Sequence, residues 1–255
     1  MLRSMESLIG IEVQAYDGAI GEVVDFCFDA VEWTTRYFVL DSSGFMPGKW
    51  LVVPPVAFDK TSLSERVLQV YCTKQEISQI QPLVADSVTS RREEEAIYRH
   101  FELPLGRPSE PTLSPSFGMK LVPSQTGRAK KSGTVLKALH QFKEIQGFAV
   151  QGADGKAGTL SDFLVEDGYW DQRLVVVRLK TRKTRVAAPV ALADPVQWEA
   201  KTLTLSVPVR IVSEAPKIEG RETLEGELGR SVAAYYDNAI QRYHDASRGE
   251  GIVRD

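Results

Sequence analysis

Asp17-Gly18-Ala19-Ile20-Gly21-Glu22-Val23-Val24-Asp25-Phe26 is a stretch the chain uses twice, for Asp154-Gly155-Lys156-Ala157-Gly158-Thr159-Leu160-Ser161-Asp162-Phe163 has the same frame. The offset of 137 between Asp17 and Asp154 also carries Gly10 onto Gly147 and Trp33 onto Trp170. Self-similarity at a fixed offset marks an internal duplication. Asp-Gly supplies the positive φ angles of a two-residue hairpin turn, so Asp17, Gly18, Asp154 and Gly155 are assigned to turns rather than to catalysis. Gly21 and Gly158 stand where a strand begins, a position that signals a bulge or a close backbone approach. Val24, Phe26 and Phe28 alternate with Asp25, Cys27 and Asp29, which predicts strands with one buried face.

Working outward, strands are expected at about 11–16, 20–29, 34–41, 49–54 and 66–72, and again at 148–153, 157–166, 172–180, 184–188 and 202–207. Leu2, Met5 and Leu8, and in the second copy Leu139, Phe142 and Ile145, are three apart and predict a short helical turn docking on each unit. Thr73-Lys74-Gln75-Glu76 and Ser90-Arg91-Arg92-Glu93 have capping-box spacing. Glu225 to Tyr236 is a weaker helical counterpart, interrupted by Gly226 and Gly229. Pro104, Pro108, Pro111, Pro115 and Pro123 predict a stiff linker over 103–133. The expected organisation is therefore repeat 1 over 1–102, the linker over 103–133, repeat 2 over 134–236, and a fraying tail over 237–255.

Together with Leu8-Ile9-Gly10 and with Trp33-Thr34-Thr35-Arg36-Tyr37-Phe38-Val39-Leu40-Asp41, these motifs resemble the PRC-barrel domain. That family includes the cytoplasmic domain of the photosynthetic reaction-centre H subunit and the C-terminal domain of a ribosome-maturation factor. The resemblance runs from Leu2 to about Phe101 and from Leu139 to about Tyr236, and is greatest to bacterial proteins with two such barrels in tandem. It implies a mainly β chain of two small PRC-like barrels with short helical appendages, related by duplication. It also implies docking of a protein partner rather than catalysis, and, through the maturation factor, a route to RNA or ribonucleoprotein.

The 255 residues suit two domains and a connector, and a formal net charge of −3 gives no global attraction for nucleic acid or anionic lipid. Cys27 and Cys72, both in apolar strand patterns, are expected to be reduced core residues. Without an apolar run of spanning length or a signal-peptide core, the chain reads as cytoplasmic. His100, His140 and His244 have no second ligand at metal spacing, no nucleophile motif accompanies them, and Gly18-x-x-Gly21 lacks the strand-to-helix setting of a phosphate loop. No enzyme, cofactor or metal is expected.

Two surface features are candidate binding sites. Arg173, Arg178, Lys180, Arg182, Lys183 and Arg185 place six cations on one hairpin, either a phosphate-binding face or a solvated edge protected from strand pairing. The equivalent connection in the first repeat, with Phe45, Met46 and Trp50, is apolar; it either presents a protein-contact tip or folds back onto the body. Arg36 is expected to meet Asp25 or Asp29, and Arg173 to meet Asp162 or Glu166, across paired strands. Trp33 and Trp170 are expected to close the barrel ends. A pseudo-twofold pairing of the repeats or a homodimer follows from duplication of a self-pairing unit, and a ligand pocket between barrels is a lesser expectation.

Overall fold

The computed structural model describes residues 1–47, 50–59, 67–79, 139–166, 168–180, 184–218 and 226–249. The linker, the helix start at Ser90, His100, Arg182 and Lys183 lie outside the described residues.

The first half contains β1 (Leu2–Ser4), α1 (Met5–Leu8), β2 (Glu12–Ala15), β3 (Gly18–Asp29), β4 (Thr34–Asp41), β5 (Trp50–Val53), β6 (Val67–Gln69) and α2 (Lys74–Ser78). The second contains β7 (Leu139–Gln141), α3 (Phe142–Ile145), β8 (Ala149–Gly152), β9 (Gly155–Glu166), β10 (Gln172–Leu179), β11 (Arg185–Pro189), β12 (Thr202–Thr204), α4 (Val209–Ser213), β13 (Lys217–Ile218) and α5 (Gly226–Gly249). The order in the first sheet is β5-β4-β3-β2-β6, and in the second β12-β8-β9-β10-β11-β13. Neighbours are antiparallel except β2 with β6 and β8 with β12. The chain is thus mainly β, with no helix among the described residues long and apolar enough to cross a membrane.

The sheets are open, which corrects the expectation of two closed barrels. Between the edges of the first, a 3-10 turn at Pro55–Ala57 and a single bridge from Phe58 to Val70 stand in for a ladder; Val190–Leu192 and the Ala193–Leu205 bridge do the same in the second. Pro54, Pro55 and Pro189 explain this locally, since proline has no N–H to donate to a ladder.

The halves exchange strands. β1 leaves the first half and pairs with β9 of the second, with Leu2 opposite Glu166, Arg3 opposite Val165 and Ser4 opposite Leu164. β7 does the reverse on β3, with Leu139 opposite Asp29, His140 opposite Phe28 and Gln141 opposite Cys27. Every residue of one ladder is 137 positions from its counterpart in the other, so the two exchanges are related by a pseudo-twofold. The sequence reading has only a helical turn in these segments; the three-residue strand before each turn is too short to show a period.

Carboxylates lock each exchanged arm. Asp162 Oδ1 accepts the Glu6 N–H at 3.0 Å, and Oδ2 takes a short hydrogen bond from the Ser4 hydroxyl, so a side chain of the second half caps α1 of the first. Asp25 Oδ1 accepts the Lys143 N–H at 3.2 Å and so caps α3 in return. Both carboxylates also bond the N–H of the following phenylalanine. Burial raises both above the ordinary carboxylate value of 3.8, Asp162 to about 6, against the lowering effect of its hydrogen bonds.

At the pseudo-axis Trp33 and Trp170 adopt left-handed backbone, with φ of 54° and 62°, a conformation that costs a non-glycine residue about 1–2 kcal/mol. It turns their carbonyls across the seam. Trp33 accepts the Gln172 N–H at 2.8 Å, and Trp170 accepts the Thr35 N–H at 2.9 Å. Gln172 Nε2 donates to Thr35 Oγ1 and Thr34 Oγ1 to Asp171 Oδ1, each at 2.9 Å. The Trp33 ring packs on Phe163 and the Trp170 ring stands perpendicular to Phe38, 4.7 Å between centroids. The tryptophans therefore join the halves instead of closing barrel ends, and one core runs through both.

Gly21 and Gly158 are the close approaches expected of them. A Cβ on Gly21 would lie 2.2 Å from the Asp41 carbonyl oxygen, and one on Gly158 2.2 Å from that of Arg178. The hairpin turns differ from expectation by one residue. Tyr16-Asp17 and Ala153-Asp154 form the tips, and only the following Gly18 and Gly155 have positive φ. α5 begins at Gly226, passes Gly229 and runs into the expected tail as far as Gly249, because Val232 and Tyr236 are buried and Tyr235 donates its hydroxyl to the Ile211 carbonyl at 2.8 Å.

Gly158→Ala is expected to lower the unfolding free energy by about 3 kcal/mol, since backbone must move to admit the methyl, and urea titration reads the loss directly. Asp162 sets a pH dependence of definite sign. Its folded value of about 6 exceeds the ordinary 3.8, so its contribution is fully present below about pH 4 and is lost as pH rises through 6. The stability of the wild type relative to Asp162→Asn should fall by roughly 2 kcal/mol between pH 4 and pH 7, measured by denaturation of both proteins at each pH.

Candidate protein-contact site

One end of the first sheet gathers the tip between β2 and β3, the turn after β4, the start of β5 and the start of α2. The register puts them together: Glu22 lies opposite Asp41 and Asp41 opposite Trp50. Asp17 Oδ1 accepts the Lys74 N–H at 2.8 Å, so the turn aspartate also caps α2, where Thr73 and Glu76 complete a capping box. The Lys74 ammonium lies over Gly18 and 5.7 Å from the centre of the Phe45 ring, a cation over an aromatic face. The turn itself is closed by Phe45 and Met46 N–H groups donating to the Ser42 carbonyl, at 2.8 and 2.6 Å.

Phe45 and Met46 are half-buried against the core, so the loop folds back. Trp50 remains 48% exposed. Two aromatics that the sequence reading does not single out are exposed at the same end of the sheet: Tyr16 is 62% and Tyr71 55% exposed. The Tyr16 N–H donates to the Cys72 carbonyl at 2.9 Å, and the Tyr71 side chain hydrogen-bonds Asp59 within electrostatic range of Tyr16. A signal for Tyr71 was present, because Leu68, Val70 and Cys72 point inward and place Gln69 and Tyr71 on the outer face.

The second half builds the same end with other residues. Asp154 Oδ1 accepts the Val209 N–H at 2.6 Å and caps α4, but Ala153 stands where the first half has Tyr16. Arg178 and Arg185 lie directly opposite one another in the ladder, and Arg178 and Lys180 are exposed. Arg173 does not join them. Five residues away along β10, its Nε lies 2.8 Å from Glu166 Oε2 and its Nη2 3.6 Å from Asp171 Oδ2. The expected cross-strand ion pair is thus made with Glu166, while Asp162 and Asp25 serve the exchanged arms and Asp29 caps the Val31 and Glu32 N–H groups of its own turn.

His140 stacks on Trp198 with ring centres 3.3 Å apart, and its Nδ1 lies 3.3 Å from Glu144 Oε2; His244 falls on α5. Among the described residues no three His, Cys, Asp or Glu side chains are grouped to hold a metal. Cys27 and Cys72 are buried and not disulfide-bonded, and burial, reinforced by Glu76 and Asp17, pushes the Cys72 thiol up to about 12.

Comparison with protein-family models and with curated proteins gives no match.

Because both thiols are buried, neither cysteine of the folded protein should react with an aromatic disulfide reagent at pH 8, and both should react once guanidinium unfolds the chain.

Proposed function

We propose that the chain is a non-catalytic adaptor of the PRC-barrel type, descended from duplication of a self-pairing unit, that docks a protein partner on the aromatic end of its first half. The observation that carries this is the exposure of Trp50, Tyr16 and Tyr71 at one end of a sheet whose turns are held by side-chain and backbone hydrogen bonds. Tyrosine and tryptophan are the side chains most enriched at the centres of protein interfaces, and anchors held on a rigid frame lose little entropy on binding. The repeated Asp-Gly-x-x-Gly frames are the sequence feature that supports the family reading. A cytoplasmic setting suits two buried cysteines that are not joined in a disulfide.

A second reading, RNA or ribonucleoprotein binding by the second half, draws on one observation. Arg178 and Arg185 face one another across a ladder beside the exposed Lys180, which concentrates positive charge on one hairpin.

Affinity purification of the tagged protein from its native extract, with and without nuclease, separates the two. The adaptor reading expects one stoichiometric protein in both samples, with affinity falling at least tenfold when Trp50, Tyr16 and Tyr71 are replaced by serine and the melting temperature is preserved. Recovery of ribonucleoprotein components only without nuclease, and their loss when Arg178 and Lys180 are neutralised, would favour RNA.

A further inference from the structure

We propose that a second copy of this chain can take the place of either half, so that two chains form a dimer by reciprocal exchange, independently of any partner at the aromatic end. Among the described residues, the contacts that join the halves lie between residues on opposite sides of the segment 80–138. They include the β1–β9 and β7–β3 ladders, the Asp162 and Asp25 caps, and the carbonyls of Trp33 and Trp170. None of these contacts requires that the two halves belong to one chain. The first half of one copy, with its β1 arm, presents the same donors and acceptors to the second half of another as it does to its own.

What selects the closed single chain is the tether. A linked partner acts at an effective concentration of about 1 mM or less, falling as the connection lengthens. Below that concentration each first half finds its own second half. Above it, foreign halves compete on equal terms. Exchange also needs the seam to open, because the arms are hydrogen-bonded ladders with buried caps, so folded chains do not trade halves when mixed. The dimer forms on folding, and once formed it persists on dilution.

The register provides a reporter. Gln141 lies directly opposite the native Cys27 in the exchanged ladder, and directly opposed residues of an antiparallel pair have Cα separations of about 4.5–5.5 Å, within the range a disulfide spans. Gln141→Cys therefore ties the halves covalently, within one chain when closed and between chains when exchanged.

The experiment refolds the full-length chain from guanidinium, dilute and at about 1 mM, followed by size-exclusion chromatography with light scattering and non-reducing electrophoresis. Dilute refolding is expected to give monomer, and for Gln141→Cys a monomer with an internal bond. Concentrated refolding is expected to give a dimer that survives dilution, with Gln141→Cys running as a disulfide-linked dimer and Cys27→Ser/Gln141→Cys not. Should the variant fail to fold, wild-type light and heavy-isotope chains answer the same question by native mass spectrometry, where mixed dimers must appear after co-refolding and not after mixing folded samples. The proposal is overturned by monomer alone at the high concentration, by a dimer of Gln141→Cys without the interchain bond, or by mixed dimers from folded chains.

Discussion

The structure depends on two buried carboxylates that each belong to one half and cap a helix of the other. Asp162 holds Ser4 and Glu6, and Asp25 holds Lys143, so neither arm can dock without the sheet across the seam. Taking a carboxylate out of water is costly, and the raised Asp162 value shows that its hydrogen bonds do not fully offset that cost. Its return is directional, because the acceptors sit where the first N–H groups of a short helix would otherwise be unpaired. A four-residue helix has little stability of its own, so both turns exist because the other half completes them.

The β-content, the positions of most strands, the capping box at Thr73 and the tight packing at Gly21 and Gly158 were legible, because each is a local signal in residue type or alternation. The relation between the halves was legible only as an offset. Asp25 and Asp162 look in sequence like outward residues of alternating strands, yet both are buried, where the helical turns α3 and α1 of the exchanged arms dock on them. A pattern of period two reports how many faces are covered, not which segment covers them. The same limit accounts for Trp33 and Trp170, whose position before a strand suited a barrel end until their partners across the seam were known. At α5 local propensity pointed the wrong way. Gly226 and Gly229 weaken a helix by about 1 kcal/mol each, and anchoring through Val232, Tyr236 and the Tyr235 hydroxyl outweighs that.

Of the candidate site, Trp50 was legible and its neighbours were not. Phe45 and Met46 drew attention as an apolar tip, but the Ser42 carbonyl turns the loop inward, and the exposed tyrosines stand at a hairpin tip and just beyond the end of β6. The basic hairpin likewise divides by geometry. Arg173 shares β10 with Arg178 but sits at the opposite end, where Glu166 and Asp171 neutralise it.

Residues 137 apart fall into two classes, and the division bears on what the fold is for. Asp17 and Asp154, Gly21 and Gly158, Asp25 and Asp162, Phe26 and Phe163, and Trp33 and Trp170 are identical pairs, and each makes a turn, a close approach, a cap or a seam contact. At the ends of the sheets the identity stops: Tyr16 corresponds in sequence to Ala153, and Phe45 and Met46 correspond to Arg182 and Lys183. A symmetric homodimer must present the same chemistry at both ends, since one sequence builds each. Two halves in one chain keep the self-complementary frame while each end changes by itself. The aromatic end and the basic end are then separate surfaces carried on a shared seam, and a change in one leaves the contacts that hold the other untouched.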